Sequence, residues 1–588
     1  MKYNIITLVA SFFSLMGIAQ TSSVSGPGNS IWQTVPQEKV YVQTNESLLF
    51  SGEYLLYKIY CLETREKQLS NVSKVAYVAL VDQNGKSVFT HKVRLNMGAG
   101  YGDFFVPTSV PTGSYKLLGY SQWMKNFDTE SFFQSDVHII NPYQLVPEAH
   151  LAVGTDSTLQ ASEVMTPASL EKSIASTENQ VQIALDKTEL GTREKLMVGI
   201  RTDNAEIQNG DYSISIRKLE EFPAPKRMSS VEFTAKHLNG ASSLAAISQK
   251  KYLPELRGEL ISGTIINKKT KMPAEDLRVS ISLPGNDYLL KIASTNEKGA
   301  FSFLLDQEYE NVTAALQILA DNWDDYEIVM DKAQKVYSGI EFEKFVISEA
   351  MKDYILQKSV QNQIENGFRE VKSDAVIPAA HEPPYYRKFT VDYNLDDYTR
   401  FNSIEETIVE VVDQLSVRRL KNGDRAFEIR PEEGFTDPGL FPMVFVDGLF
   451  IKKHEDFMDY SAKKIKSIHF SRDKVILGPQ VFQGVLNFKT VDGNFYNEFF
   501  TPHIVNINLF KPQSQKEYFN QTYGAGVSKD RIPDFRHQLL WEPELDLSKG
   551  SKEISVFTSD VPGTYLLILE GFSSIGNPVS VKRQFSVR

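Results

Sequence analysis

The side chains able to support catalysis or hold a metal are few and widely spread. Nine histidines occur, at positions 91, 138, 150, 237, 381, 454, 469, 503 and 537, and none forms a His-Glu-x-x-His pair. That pair would place two imidazoles on one helical face around zinc, so this chemistry is not expected. Cys61 is the single cysteine, which excludes an internal disulfide and a zinc knuckle. It lies in a strand-like run from 56 to 61 and reads as a small buried apolar residue. No Gly-x-Ser-x-Gly elbow or phosphate-binding loop occurs. Gly98, Gly100 and Gly102 miss the dinucleotide spacing and read as a glycine-rich strand edge. Asp321, Asp324 and Asp325 cluster oxygens as calcium requires, but their spacing departs from the calcium-loop pattern and reads as an acidic turn. The expectation is a protein with no catalytic residue, no metal, no cofactor and no small-molecule substrate. Its function then falls to surfaces.

Composition narrows the choice of surfaces. The chain has 588 residues, 41% hydrophobic and 23% charged, enough for roughly four domains of ordinary size. The net charge of -11, without a long basic block, argues against nucleic acid as a partner. Residues 1–20 carry Lys2, an apolar run and small residues at 17–19, the pattern of a cleaved secretory signal. No apolar run of 18 follows, so no direct membrane span is expected. Aromatic residues at 11%, mostly Tyr and Phe, suit strands.

The elements that would position such surfaces centre on 440–490. Val444, Phe445 and Val446 form a short β-branched and aromatic run that ends in Asp447-Gly448, a strand stopped by a tight turn. Residues 453–463 are polar and can form one helix. Ile465, Ile468 and Phe470 alternate with polar residues as in a half-buried strand, and Val485 to Phe488 is another strand with Gly484 at its start. This series resembles the plug domain of TonB-dependent outer-membrane receptors. The matching positions are Val446, Asp447, Gly448, Ile465, Ile468, Gly478, Gly484, Val485, Leu486, Phe488 and Thr490. Residues 386–498 are assigned to this α/β plug-like domain.

Earlier segments read as β-sandwiches. Residues 24–145 carry Lys39, Tyr41, Val42, Thr44, Gly52 and Glu53, a pattern that resembles the first domains of bacterial alpha-2-macroglobulin-like proteins. The thioester motif of that family is absent, since Leu62-Glu63 follows Cys61. Residues 146–178 form a Ser/Thr-rich linker, in which Asp156, Ser157 and Thr158 resemble a short O-glycosylation sequence. Residues 179–255 read as a second sandwich with a long polar excursion. Residues 256–345, with Gly263, Pro273, Val279, Thr295, Gly299, Phe301 and Phe303, resemble the carboxypeptidase regulatory-like domain, a non-catalytic sandwich. Residues 346–385 read as a helical connector, and 499–588 as a separate C-terminal sandwich. The fold class expected is therefore mainly β and multidomain: several immunoglobulin- or macroglobulin-like sandwiches plus one α/β plug-like domain.

These resemblances, found together in soluble proteins of Bacteroidetes, imply a periplasmic, outer-membrane-associated accessory subunit. It would bind and seal a β-barrel formed by another chain, such as the type IX secretion translocon. A barrel of even eight strands needs well over about a hundred residues, whereas only about ninety follow the plug-like domain. The partner contacts expected are the loops at the ends of the plug strands: Asp447, Gly448, Lys452 and Lys453 in one, and Arg472, Lys474, Gln480, Gln483 and Gly484 in the other. Two alternatives stand beside this reading. One is a macroglobulin-like protease-binding protein. The other is a surface protein secreted through the type IX system, suggested by Gly563, Tyr565 and the basic end near Lys582.

Overall fold

A computed structural model describes residues 36–127, 129–151, 177, 179–220, 222–238, 252–309, 311–331, 337, 339–378, 383–431, 439–524 and 532–588. The expected signal at 1–20, most of the linker and its Asp156-Ser157-Thr158 sequence lie outside these residues. The protein is mainly β, with 44% of residues in strands and 15% in helices, arranged as β-sandwiches around one α/β unit.

The first sandwich stacks a three-stranded sheet (Glu38–Thr44, Tyr54–Glu63, Ala99–Phe105) on a five-stranded one (Leu48–Phe50, Phe133–Ile140, Gly113–Ser121, Val75–Val81, Ser87–Arg94). Strand Val75–Val81 is buried along its whole length, which explains why its apolar residues run on instead of alternating.

The second sandwich corrects the expected domain order. Its larger sheet runs Glu189–Leu190, Pro578–Val587, Gly563–Ser573, Gly210–Lys218, Gln538–Leu545. Its smaller sheet runs Ser551–Phe557, Lys195–Arg201, Gln182–Leu185. Ile214 pairs with Leu569 on one side and Glu542 on the other. The segments 179–255 and 499–588, expected as two sandwiches, are thus two halves of one, sharing a core that includes Val198, Ile214, Leu567 and Val581. Alternation marks a residue's face but not the identity of its neighbouring strand, so pairing at this separation is invisible to a local pattern.

The same device recurs one level down. A small sandwich pairs Ala300–Leu305, Glu259–Asn267 and Tyr326–Met330 in one sheet. Its other sheet runs Leu289–Ser294, Arg278–Leu283, Thr313–Ile318, Ile504–Asn508, so its last strand arrives after the plug-like unit. The second sandwich therefore contains the small sandwich as an insertion, and the small sandwich contains the plug-like unit.

In that unit a five-stranded sheet runs Val391–Asn394, Ile465–Leu477, Gln480–Thr490, Met443–Val446, Leu449–Phe450. Helix Ile404–Val411 packs on one face, started by Ser403, whose side chain accepts from the Glu406 N–H. Two departures are local. The single helix expected over 453–463 is two short turns, Glu455–Met458 and Ala462–Lys464. Gly484 lies inside strand Gln480–Thr490 and not at its start; the pairing shifts between Ser471 and Lys474 opposite it. A Cβ on Gly484 would come within 2.4 Å of the Ser471 carbonyl oxygen, so the irregular ladder there requires glycine.

Candidate partner-binding site

Alternation along the plug strands sends side chains to two faces, and both are covered. Val444, Val446, Ile468, Phe470, Leu486 and Phe488 meet Ile404, Ile408 and Phe457 on the helix side. Met443, Phe445, Val475, Phe482 and Val485 point the other way and pack on Tyr288, Leu290 and Ile292 of the small sandwich. Gln317 crosses this seam, its Nε2 donating to the Phe450 carbonyl at 2.7 Å. Plug-like unit and small sandwich are joined through an apolar core.

This seam decides the fate of the first expected contact loop. Asp447 and Gly448 have φ of 46° and 82°, the left-handed pair of a tight hairpin. The Asp447 carboxylate points inward. It accepts from Thr490 N at 2.9 Å, Thr490 Oγ1 at 2.5 Å and Phe495 N at 3.0 Å. Its backbone carbonyl accepts from Gly285 N at 3.0 Å. Lys452 donates through Nζ to the Ala320 carbonyl at the same seam, and burial lowers its ammonium pKa. Lys453 remains half exposed, 3.6 Å from Asp424.

The second loop divides similarly. Arg472 donates through Nε to the Arg430 carbonyl at 2.8 Å and through Nη2 to that of Pro431. Lys474 is exposed. Gln480 accepts from Arg278 Nη1 at 2.7 Å, and Gln483, buried, donates to the Arg472 carbonyl at 2.7 Å. Gly478 at the hairpin tip lies against the small sandwich, where an added Cβ would stand 2.5 Å from the Ile292 carbonyl oxygen. Asp447, Gly448, Gln483 and Gly484 are therefore internal, and Lys452 is half-buried at the seam. Lys453, Arg472, Lys474 and the edge of Gln480 are what the two loops offer to solvent. The composition of a turn records its backbone geometry, not what packs over it.

Three arrangements have no local signature, because each brings together segments remote in the chain. Ser467 Oγ lies 2.7 Å from His469 Nε2, and His469 Nδ1 contacts Asp392. The order matches a hydrolytic triad. The three stand on an open strand face, and none lines the cavity described next; they tie the edge strand Val391–Asn394 to its neighbour. A cavity of about 350 Å³ opens between Tyr54, Arg369, Phe519 and Trp541. Arg369 stacks on Tyr54 and Phe105, while Lys372 pairs with Glu365 and Arg536 with Asp534. Among the described residues no His, Cys, Asp and Glu are grouped to hold a metal ion.

The third arrangement joins the first sandwich to the small one. Lys92 Nζ meets Glu259 at 2.5 Å, and Tyr309 donates to the same carboxylate at 2.8 Å. Beside it Glu255 accepts from Tyr77 at 3.0 Å and Leu260 N at 3.1 Å. Burial pushes the Glu255 carboxyl up to about 7, against the opposing pull of those hydrogen bonds and Lys92. A raised carboxyl stabilises the fold while protonated. That contribution is lost as pH rises from the unfolded value, about 4.3, through the folded one. Apparent Tm should therefore fall between about pH 4.3 and about pH 7, and Glu255→Gln should flatten that fall. Thermal melts across the range check it; equal slopes in wild type and variant would show that Glu255 does not titrate there.

No protein-family model and no curated protein matches the sequence. Solved structures similar to this chain include an alpha-2-macroglobulin of Salmonella, at 8% identity and TM-score 0.22, covering 96% of this chain and 41% of that one. The elastase-activated alpha-2-macroglobulin of Escherichia coli gives 10% identity and TM-score 0.22, covering 94% and 44%. The native conformation of the Escherichia coli protein gives 9% identity and TM-score 0.23, covering 96% and 40%. The chain thus spans about two fifths of the length of these structures, and superposition at such scores carries no functional argument.

Proposed function

We propose that this protein is an exported, non-enzymatic accessory subunit that binds the rim of an outer-membrane β-barrel formed by another polypeptide and helps to seal it. A protein-secretion barrel such as the type IX translocon is the kind of partner that would need this. One observation carries the reading. The five-stranded α/β sheet over 391–490 supports a plug-like reading, and among the described residues each later strand closes a sandwich or a two-residue ladder, so none of these surrounds it. Rim contact is favoured over pore entry because one sheet face is fused to the small sandwich through Tyr288, Leu290 and Ile292. Entry by the plug-like unit alone would expose that apolar face to water.

The test is affinity purification of the full chain from detergent-solubilised outer membranes of the native host, together with gene deletion. A barrel-forming protein should co-purify at a fixed ratio, and deletion should raise uptake of vancomycin. Absence of a barrel together with unchanged vancomycin sensitivity would sink the proposal.

A further inference from the structure

The four-stranded sheet of the small sandwich has two edges that differ in kind. At one edge, Leu289–Ser294 is closed over: the Tyr386 hydroxyl accepts from the Leu290 N–H at 2.8 Å and donates to the Leu290 carbonyl at 3.4 Å. At the other edge lies Ile504–Asn508, antiparallel to Thr313–Ile318. Leu509 N donates to the Val312 carbonyl at 2.7 Å, in register with the Asn508–Thr313 pair. In an antiparallel ladder the bonding residues alternate. Ile507 and Val505 therefore turn their backbone groups inward, and Asn506 and Asn508 turn theirs outward. Among the described residues, nothing bonds to the N–H or C=O of Asn506 or Asn508.

Edge strands exposed to water are normally protected by charge, proline or a bulge. The sequence Ile-Val-Asn-Ile-Asn has no charge and no proline, and its pairing runs without a shift. Val505 is 40% exposed, and Phe500 and Phe510 beside the two strand ends are 78% and 44% exposed. The strand also bridges the two units: Ile504 packs into the core of the plug-like unit and Ile507 into that of the small sandwich.

We infer that Ile504–Asn508 is a docking edge that takes an extended segment of the barrel-forming partner as an added strand. This rests on the barrel-binding reading above and names where the partner engages. An open ladder recognises main chain, so the ligand is an extended polypeptide. Its side chains on the face of Val505, spaced two apart, would be apolar. A second copy of this chain is disfavoured as occupant because each copy carries a net charge of -11.

The test uses the full chain purified from solubilised outer membranes. Asn506→Pro removes one outward N–H and leaves the inward ladder intact. Asn506→Lys places a charge on the same edge and serves if the proline variant fails to fold, judged by its melting curve. In a third protein Asn508 is replaced by a photo-crosslinking phenylalanine analogue. Barrel recovery should fall about tenfold or more in the variants, as loss of one or two main-chain hydrogen bonds with a clash implies. The crosslinked peptide should map to a terminus or loop of the barrel chain. Barrel recovery unchanged by both substitutions, or an adduct joining two copies of this chain, overturns the docking edge while leaving barrel binding intact. Wild-type protein that recovers no barrel overturns both.

Discussion

Replacing Lys358 by methionine should destabilise the protein by about 3–5 kcal/mol, the range for removing one partner from a buried ion pair. Helix Lys352–Gly367 turns this lysine inward, where its side chain is 1% exposed. The ammonium contacts Glu220 and lies 3.5 Å from Glu53. Arg217 completes the cluster, at 2.9 Å from Glu53 and 3.4 Å from both Glu220 and Glu46. Two cations thus serve three carboxylates where the first sandwich, the second sandwich and the helix meet. Methionine would leave three carboxylates with one guanidinium in a site with little water. The urea midpoint should fall accordingly, and Glu220→Gln added to Lys358→Met should recover part of the loss.

Acidity gives the same prediction a second readout. Burial alone would raise the Glu53 and Glu220 carboxyls, but Lys358 and then Arg217 hold both below the ordinary value. Depressed carboxyls contribute stability above the unfolded value, about 4.3, and that contribution is lost as pH falls through the folded values. Wild type should therefore weaken at acid pH. In Lys358→Met the unpaired carboxylate gains by taking up a proton, so the gap between variant and wild type should narrow from about pH 7 to about pH 5. A constant gap, or a loss under about 1 kcal/mol, would show that the cluster is open to water.

Gly448→Ala should cost about 3 kcal/mol and loosen the plug-like unit from the small sandwich. Two effects add. At φ of 82° a Cβ strains the backbone, by about 1–2 kcal/mol. That Cβ would also stand 2.3 Å from Tyr288 Cβ and 2.8 Å from the Gly285 carbonyl oxygen, overpacking of the kind that costs about 1–3 kcal/mol. The nearest obstacles include backbone, so no flexible side-chain end can give way. Hydrogen exchange should rise at 285–292 and 443–450 and stay unchanged in the distant strand Gly563–Ser573. Unaltered exchange at the seam would mean that the hairpin can shift without breaking it.

Features that depend only on chain neighbours are legible in the amino-acid order. Val444 to Gly448 specified a strand and a left-handed turn, because β-branched residues and Asp-Gly have those preferences alone. Mainly β character followed from alternation and aromatic content in the same way. Tertiary structure decided the rest. Ile214 chooses strands more than three hundred residues later, and Ile504 returns to a sandwich left before the plug-like unit began. Both choices depend on hydrogen bonds that any strand can make. Whether Asp447 faces water or caps Thr490 and Phe495 was likewise set by packing from elsewhere. So was the inward turn of Lys358, which a helical pattern assigns to solvent until Glu53 and Glu220 are brought beside it. Local preference fixes backbone shape over a few residues; burial and pairing are collective, and only the folded chain sets them.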